Sequence, residues 1–138
     1  MRSCPFVLPA LFVSMTACGQ SAPAAPWVEF YQRGQVVVSV DTSRMSRAGQ
    51  IQELWLRFDA QPNEVSGKPG TTYTRTEQLN RIDCAGDSVK ALRMLMWDSA
   101  GTLVDETTRE DRWRKMSEHL FGRNGIYPAL CRWLARRE

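Results

Sequence analysis

From Gln35 to Asp41 every second residue (Val36, Val38, Val40) is apolar and β-branched, a period of two that predicts a half-buried strand ending in the turn-forming run Asp41-Thr42-Ser43. Ile51 to Phe58 repeats the pattern, with Leu54, Leu56 and Phe58 on one face and Glu53, Trp55 and Arg57 on the other. Pro62, Asn63, Gly67, Pro69 and Gly70 then predict a long loop over 59–71. Thr72 to Cys84 reads as a Thr-rich strand with Ile82 and Cys84 on one face. Ala85-Gly86-Asp87 has turn chemistry, and Val89 to Trp97 is the most apolar strand. Asp98-Ser99-Ala100-Gly101 is a hairpin turn before a last strand at Leu103 to Thr108.

Closely spaced strands with short turns and no βαβ alternation predict an antiparallel meander. Its apolar face needs a cover. The C-terminal segment supplies one: Pro128 suits a first helical turn, and Tyr127, Leu130, Cys131 and Leu134 recur at helical spacing. Arg132, Arg136 and Arg137 fall largely outside that stripe, near the C-terminal end of the helix dipole. The fold class expected is α+β, a small sheet under a C-terminal helix.

The beginning of the chain breaks this pattern. Arg2 is the only charge in residues 1–17, and an apolar run from Pro5 to Val13 follows it. The run is shorter than the roughly 20 residues that span a bilayer as a helix, and it describes an export signal. Met15-Thr16-Ala17-Cys18 resembles a bacterial lipobox, in which the cysteine is lipidated and becomes the N-terminus. The alternative is an ordinary signal cut near Ala17 or Ala25. Residues 18–26 are small or proline and read as a flexible tether. Several acyl chains on Cys18 would hold the protein at a membrane, each buried CH₂ adding about 0.8 kcal/mol. Gly19, where a retention signal would place Asp, points to the outer membrane by the sorting rule of such lipoproteins. The domain proper is then 27–138.

Export changes the meaning of the four cysteines. With Cys4 removed and Cys18 lipidated, Cys84 and Cys131 remain, and an even pair in an oxidising compartment argues for a disulfide. That bond would staple helix to sheet. Zinc would need about four ligands, and His119 is the only histidine. A thiol nucleophile would need a His partner and a reducing setting, which export disfavours.

Charge and motifs narrow the function classes. Eighteen Lys/Arg against fifteen Asp/Glu is too near balance to imply a nucleic-acid partner. No phosphate loop, nucleophile elbow or His-Glu-x-x-His is present, so no catalytic residues, metal or cofactor are assigned and the chain is read as a non-enzyme. His119 could face Met94, Met96 or Met116 as a haem ligand, but it sits in a polar segment, and Met94 and Met96 share a strand face with Leu92 as core residues do. The mixed charges at 106–115 describe a solvated surface or a ligand rim. Arg132, Trp133, Arg136 and Arg137 form a candidate patch for heparin-like chains or anionic lipid, set against an ordinary helix end with solubility charges.

The Val-rich strand ending in Asp41, the Arg-rich 43–49 turn, Trp55, the Asp83-Cys84 pair before a hairpin, Trp113 and the late Cys131 together resemble the surface-adhesin protein E family of outer-membrane lipoproteins, over roughly Trp27 to Leu134. The resemblance implies about six antiparallel strands with a C-terminal helix tied to the concave face by a disulfide. It further implies binding of host matrix or serum proteins such as vitronectin, laminin and plasminogen, haem binding in some members, and homodimers in others. Only the cysteine frame carries over residue by residue. Two functions follow: an adhesin-like module using an exposed sheet face or the 59–71 loop, or a periplasm-facing structural or inhibitory envelope protein. Haem scavenging is a third.

Overall fold

A computed structural model describes residues 26–109 and 112–138. The sequence rule of apolar alternation is realised in one antiparallel sheet whose main path runs β1-β2-β4-β5-β6-β7. Its strands are β1 (Trp27–Arg33), β2 (Val36–Asp41), β4 (Ile51–Glu64), β5 (Thr72–Asp83), β6 (Ser88–Trp97) and β7 (Leu103–Thr108). Two short additions bring the sheet to eight: β3 (Ser46–Ala48) folds back on β4, and β8 (Arg114–Lys115) pairs with the start of β6. A 3-10 turn at Met116–Glu118 leads into α1 (Leu120–Arg123) and α2 (Ile126–Ala135).

The meander is as expected. The balance is not: the described residues are mainly β, with eight strands where about six were expected and two short helices where one was. Strand β1 escapes a period-two reading because a bulge at Phe30 interrupts its alternation against β2. The expected 59–71 loop is strand as far as Glu64, since pairing with β5 resumes at Asn63↔Tyr73 after a register break between Asp59 and Asn63. Pro62, which has no N–H to donate, lies within that break. The remaining loop is tied down, with Lys68 donating to the Val104 carbonyl and the Asp105 carboxylate at 3.1 and 2.7 Å.

Strand register assigns each side chain to a face. One face carries the rows Val40–Leu56–Gln78–Met94, Val38–Phe58–Thr76–Met96 and Leu54–Asn80–Ala91. Its central apolar members form the core with Ile126, Tyr127, Leu130, Trp133 and Leu134 of α2. The sequence-read stripe of Tyr127, Leu130 and Leu134 is therefore the docking face of the helix. Gly125 begins α2 from a left-handed conformation (φ 81°) that favours glycine. Gly122 allows the corner between the 3-10 turn and α1, because a Cβ there would lie 1.5 Å from the Met116 carbonyl oxygen.

Cys84, just past β5, is bonded to Cys131 on α2 with Cα atoms 5.7 Å apart. The bond staples helix to sheet, as the cysteine count and the stripe together predicted.

Candidate functional site

The opposite face of the sheet is a second surface of distinct chemistry. Register places Ser39–Arg57–Glu77–Leu95, Trp55–Leu79–Arg93 and Asp59–Arg75–Trp97 there in consecutive rows, with Trp27 paired to Asp41 at one corner. Neither helix belongs to this side: the buried residues of α2 all pack in the core on the other face.

Three tryptophans on this face lie under guanidinium groups. Arg44 sits 4.9 Å from the Trp55 ring centroid and 5.7 Å from that of Trp27, Arg57 lies 5.8 Å from Trp27, and Arg75 lies 5.0 Å from Trp97. Each arginine is aimed by a carboxylate. Arg57 pairs with Asp59 at 2.7 Å and Arg75 with Glu77 at 3.5 Å, each two residues along the same strand and so on the same face. Across strands, Arg81 pairs with Glu53 at 2.7 Å and Arg93 with Glu106 at 2.5 Å.

Arg44 is aimed by a turn. The buried Asp41 carboxylate accepts from the Ser43 N–H at 2.9 Å, the Ser43 hydroxyl at 2.6 Å and Arg44 Nε at 2.5 Å, which folds the chain after β2 back over Trp27 and Trp55. Burial alone would raise the Asp41 pKa. The hydrogen bonds from Ser43 and Arg44 outweigh it and hold the carboxyl below its ordinary 3.8. At the far end of the sheet the Lys68 hydrogen bond lowers Asp105 against a smaller effect of burial.

A fourth tryptophan extends this side. Trp113, 41% exposed, lines one pocket of about 430 Å³ with Ser46, Ala48, Ile51, Glu53 and Arg81, and a second of about 580 Å³ with Arg112, Arg114, Lys115, Glu118 and His119.

The expected site residues are distributed differently. Cys18, the lipobox and nearly all of the tether lie outside the described residues, as do Glu110 and Asp111. Arg132 on α2 and Arg136 and Arg137 just past its end are exposed, but Trp133 is only 8% exposed, packed 6.3 Å from Phe30 in the core. Arg137 covers its ring at 4.6 Å. The proposed patch thus keeps its charges and loses its aromatic platform, because the helix rotates Trp133 inward with Leu130 and Leu134.

His119 is half-buried where a polar surface residue was expected. Its Nδ1 accepts the Phe121 N–H at 3.2 Å, capping α1, and its ring packs 5.1 Å from Phe121 and 5.4 Å from Tyr127. Met116 is buried in the core. Among the described residues no cluster of three His, Cys, Asp or Glu side chains has metal-binding geometry.

The residues that sequence reading missed are the stacked arginines. Trp55 and Arg57 were legible as outward-facing, but Arg44 over Trp55 and Arg75 over Trp97 meet only through a turn and strand register. The Cys84–Cys131 bond, the meander and the Trp-bearing strands now stand together, and residues 27–132 match the family model described as Surface-adhesin protein E. The chain belongs to the surface-adhesin protein E family. Membership points to an adhesin-like role and to a location at the cell surface or in the envelope, and to binding in place of catalysis. No curated protein matches the chain significantly.

Proposed function

We propose that this protein is an envelope lipoprotein, exported by residues 1–17 and anchored through Cys18, whose 27–138 domain binds extracellular proteins through the open face of its sheet. The observation that carries this reading is the array of Trp27, Trp55 and Trp97, half-buried beneath Arg44, Arg57 and Arg75 on the sheet face that neither helix covers. Tryptophan and arginine are the residues most enriched among binding hot spots. Six strands at 4.8 Å spacing and about eight residues of paired length give a planar face of about 650 Å². That approaches the roughly 800 Å² which each partner contributes to a standard protein interface. The internal ion pairs leave the face nearly neutral, which suits a protein partner better than a polyanion.

Within this proposal the partners are host matrix or serum proteins, the class that the resemblance to the family implies. Binding to immobilised vitronectin, laminin and plasminogen should fall about thirtyfold or more in a Trp55→Ala variant that retains its fold by circular dichroism, as for loss of one hot-spot residue worth about 2 kcal/mol. Equal binding by wild type and variant sinks the open face as the site. Protease treatment of intact cells should shave the domain; resistance until the outer membrane is permeabilised would instead favour a periplasm-facing envelope protein. Retention of Cys18→Ala in the membrane fraction would exclude the lipid anchor.

A further inference from the structure

The apolar contacts that hold α2 on the sheet are buried, but the covalent tie is not. Cys84 is exposed, at the head of the turn Ala85-Gly86-Asp87, and all three turn residues are exposed as well. Cys131 is half-buried and packs against the core from the second half of α2. A cleft borders the bond on each side along the helix, and both cysteines line both clefts. One, of about 180 Å³, also has Gln50, Gln52, Leu134 and Ala135 in its wall. The other, of about 260 Å³, has Met116, Ser117, Gly122 and Pro128. A water takes up about 30 Å³ of liquid, so each cleft admits solvent and the CH₂–S end of a thiol.

That placement decides which chemistry the bond can undergo. A disulfide exchanges when a thiolate attacks one sulfur in line with the S–S bond and the other sulfur leaves, and access selects the sulfur attacked. In-line approach to the Cys131 sulfur comes from the helix side, where Cys131 packs against the core. In-line approach to the Cys84 sulfur comes from the side of the exposed turn. Exposed disulfides belong to the labile class, whereas an enclosed bond is reached only when the fold opens. The helix keeps its place without the bond, because Ile126, Tyr127, Leu130, Trp133 and Leu134 are buried against the sheet.

We propose that Cys84–Cys131 is a thiol-exchange site of the folded protein, opened by a dithiol reductant that attacks the Cys84 sulfur and expels Cys131. The first thiolate of the reductant bonds to the Cys84 sulfur, the S–S bond breaks, and Cys131 leaves as a thiolate that takes a proton from water. The second thiolate of the reductant then attacks its own first sulfur, closing the reductant's disulfide and releasing Cys84, which is protonated in turn. The reductant loses two electrons and two protons, and the two cysteines gain them. The site lies on the helix side of the sheet, so it holds or fails apart from binding at the open face.

The experiment reduces the full-length chain with dithiothreitol, pulses it with iodoacetamide and maps the label at Cys84 and Cys131 by peptide mass. Exchange gated by global unfolding would be slower than in denaturing guanidinium chloride by the folding equilibrium constant, about 10³ or more. The native rate should instead rise in proportion to dithiothreitol and stay within about a hundredfold of the denatured rate. A rate that levels off with reductant, or a greater suppression, would overturn the proposal. The reduced chain should keep the sheet signal in circular dichroism; its loss would show that the bond does not open within the fold. Single variants locate the attacked sulfur: Cys84 in Cys131→Ser should react with glutathione disulfide at least about tenfold faster than Cys131 in Cys84→Ser. Equal or reversed rates would refute attack at Cys84.

Discussion

Removing the Cys84–Cys131 bond by Cys84→Ala/Cys131→Ala tests how the two layers are held. The bond closes a loop of 47 residues. In the chain-entropy account, a loop of that length restricts the unfolded state by about 4 kcal/mol. For a domain of about 112 residues, each kcal/mol moves the melting temperature by about 4 °C, so the expected fall is about 16 °C. The variant should still fold, because Ile126, Tyr127, Leu130 and Leu134 remain buried on the sheet, and full burial of such an apolar side chain stabilises by about 1.5–3 kcal/mol.

Reversible thermal unfolding by circular dichroism measures the shift, and wild type with reductant should match the double variant. The loss should also be local in origin. Amides of α2 should exchange with solvent faster relative to β4 and β5, since the helix loses its only covalent tie to the sheet. A fall of less than about 1 kcal/mol would show that the unfolded chain is not restrained by the bond as supposed. Unchanged α2 exchange would show that packing alone fixes the helix.

Two further substitutions probe buried polar groups. Asp41→Asn should destabilise by about 1–3 kcal/mol at pH 7, because the buried carboxylate accepts three hydrogen bonds and pairs with Arg44. The folded pKa lies below the unfolded value, so this stability is present above the unfolded pKa and is lost as pH falls through the folded one. The difference between wild type and variant should therefore begin to shrink below about pH 3.8 and close only below the folded pKa; a gap that does not shrink in denaturant melts as pH is lowered would refute the assignment. Tyr127→Phe should raise stability by about 1 kcal/mol, since its hydroxyl is fully buried with no hydrogen-bond partner among the described residues. A loss of stability in the same melts would show that the hydroxyl has a partner after all. Burial also pushes its phenol pKa well above the ordinary 10, so it should stay protonated through alkaline titration of the folded protein.

The parts of the fold that could be read in advance share one property: a single segment contains the whole signal. Val36, Val38 and Val40, or Leu54, Leu56 and Phe58, state their face by local alternation, and the cysteine pair states its bond by number and compartment. What escaped depends on partners. Strand β1 hides its period at a bulge that exists only against β2. The 59–64 segment looks like loop from Pro62 and Asn63, yet β5 recruits it on both sides of the break. Helix α1 is four residues long with Gly122 inside it, too short for any periodicity to register. The Arg–Trp array belongs to the same group, because strand register and the Asp41 turn bring its members together.

Stacked arginines also resolve a conflict in an open, Trp-bearing sheet. Bare indoles on one flat face would invite aggregation. Here each indole is shaded by a guanidinium, and the carboxylates of Asp41, Asp59 and Glu77 hold those guanidiniums in place. Over Trp27 the shading by Arg57 is weak: a solvent-exposed cation–π contact is worth about 0.5–1 kcal/mol, and a part-exposed ion pair such as Arg57–Asp59 about as little, whereas Arg44 is held more firmly by the buried Asp41. A buried hot-spot tryptophan contributes about 2 kcal/mol or more at an interface. In the proposed binding mode, a partner that supplies its own apolar ring and its own carboxylate displaces Arg57 from Trp27 at a net gain, while Arg44 stays with Asp41. Free in solution, the same indole stays covered, and under the proposed function one set of side chains would serve solubility and binding in turn.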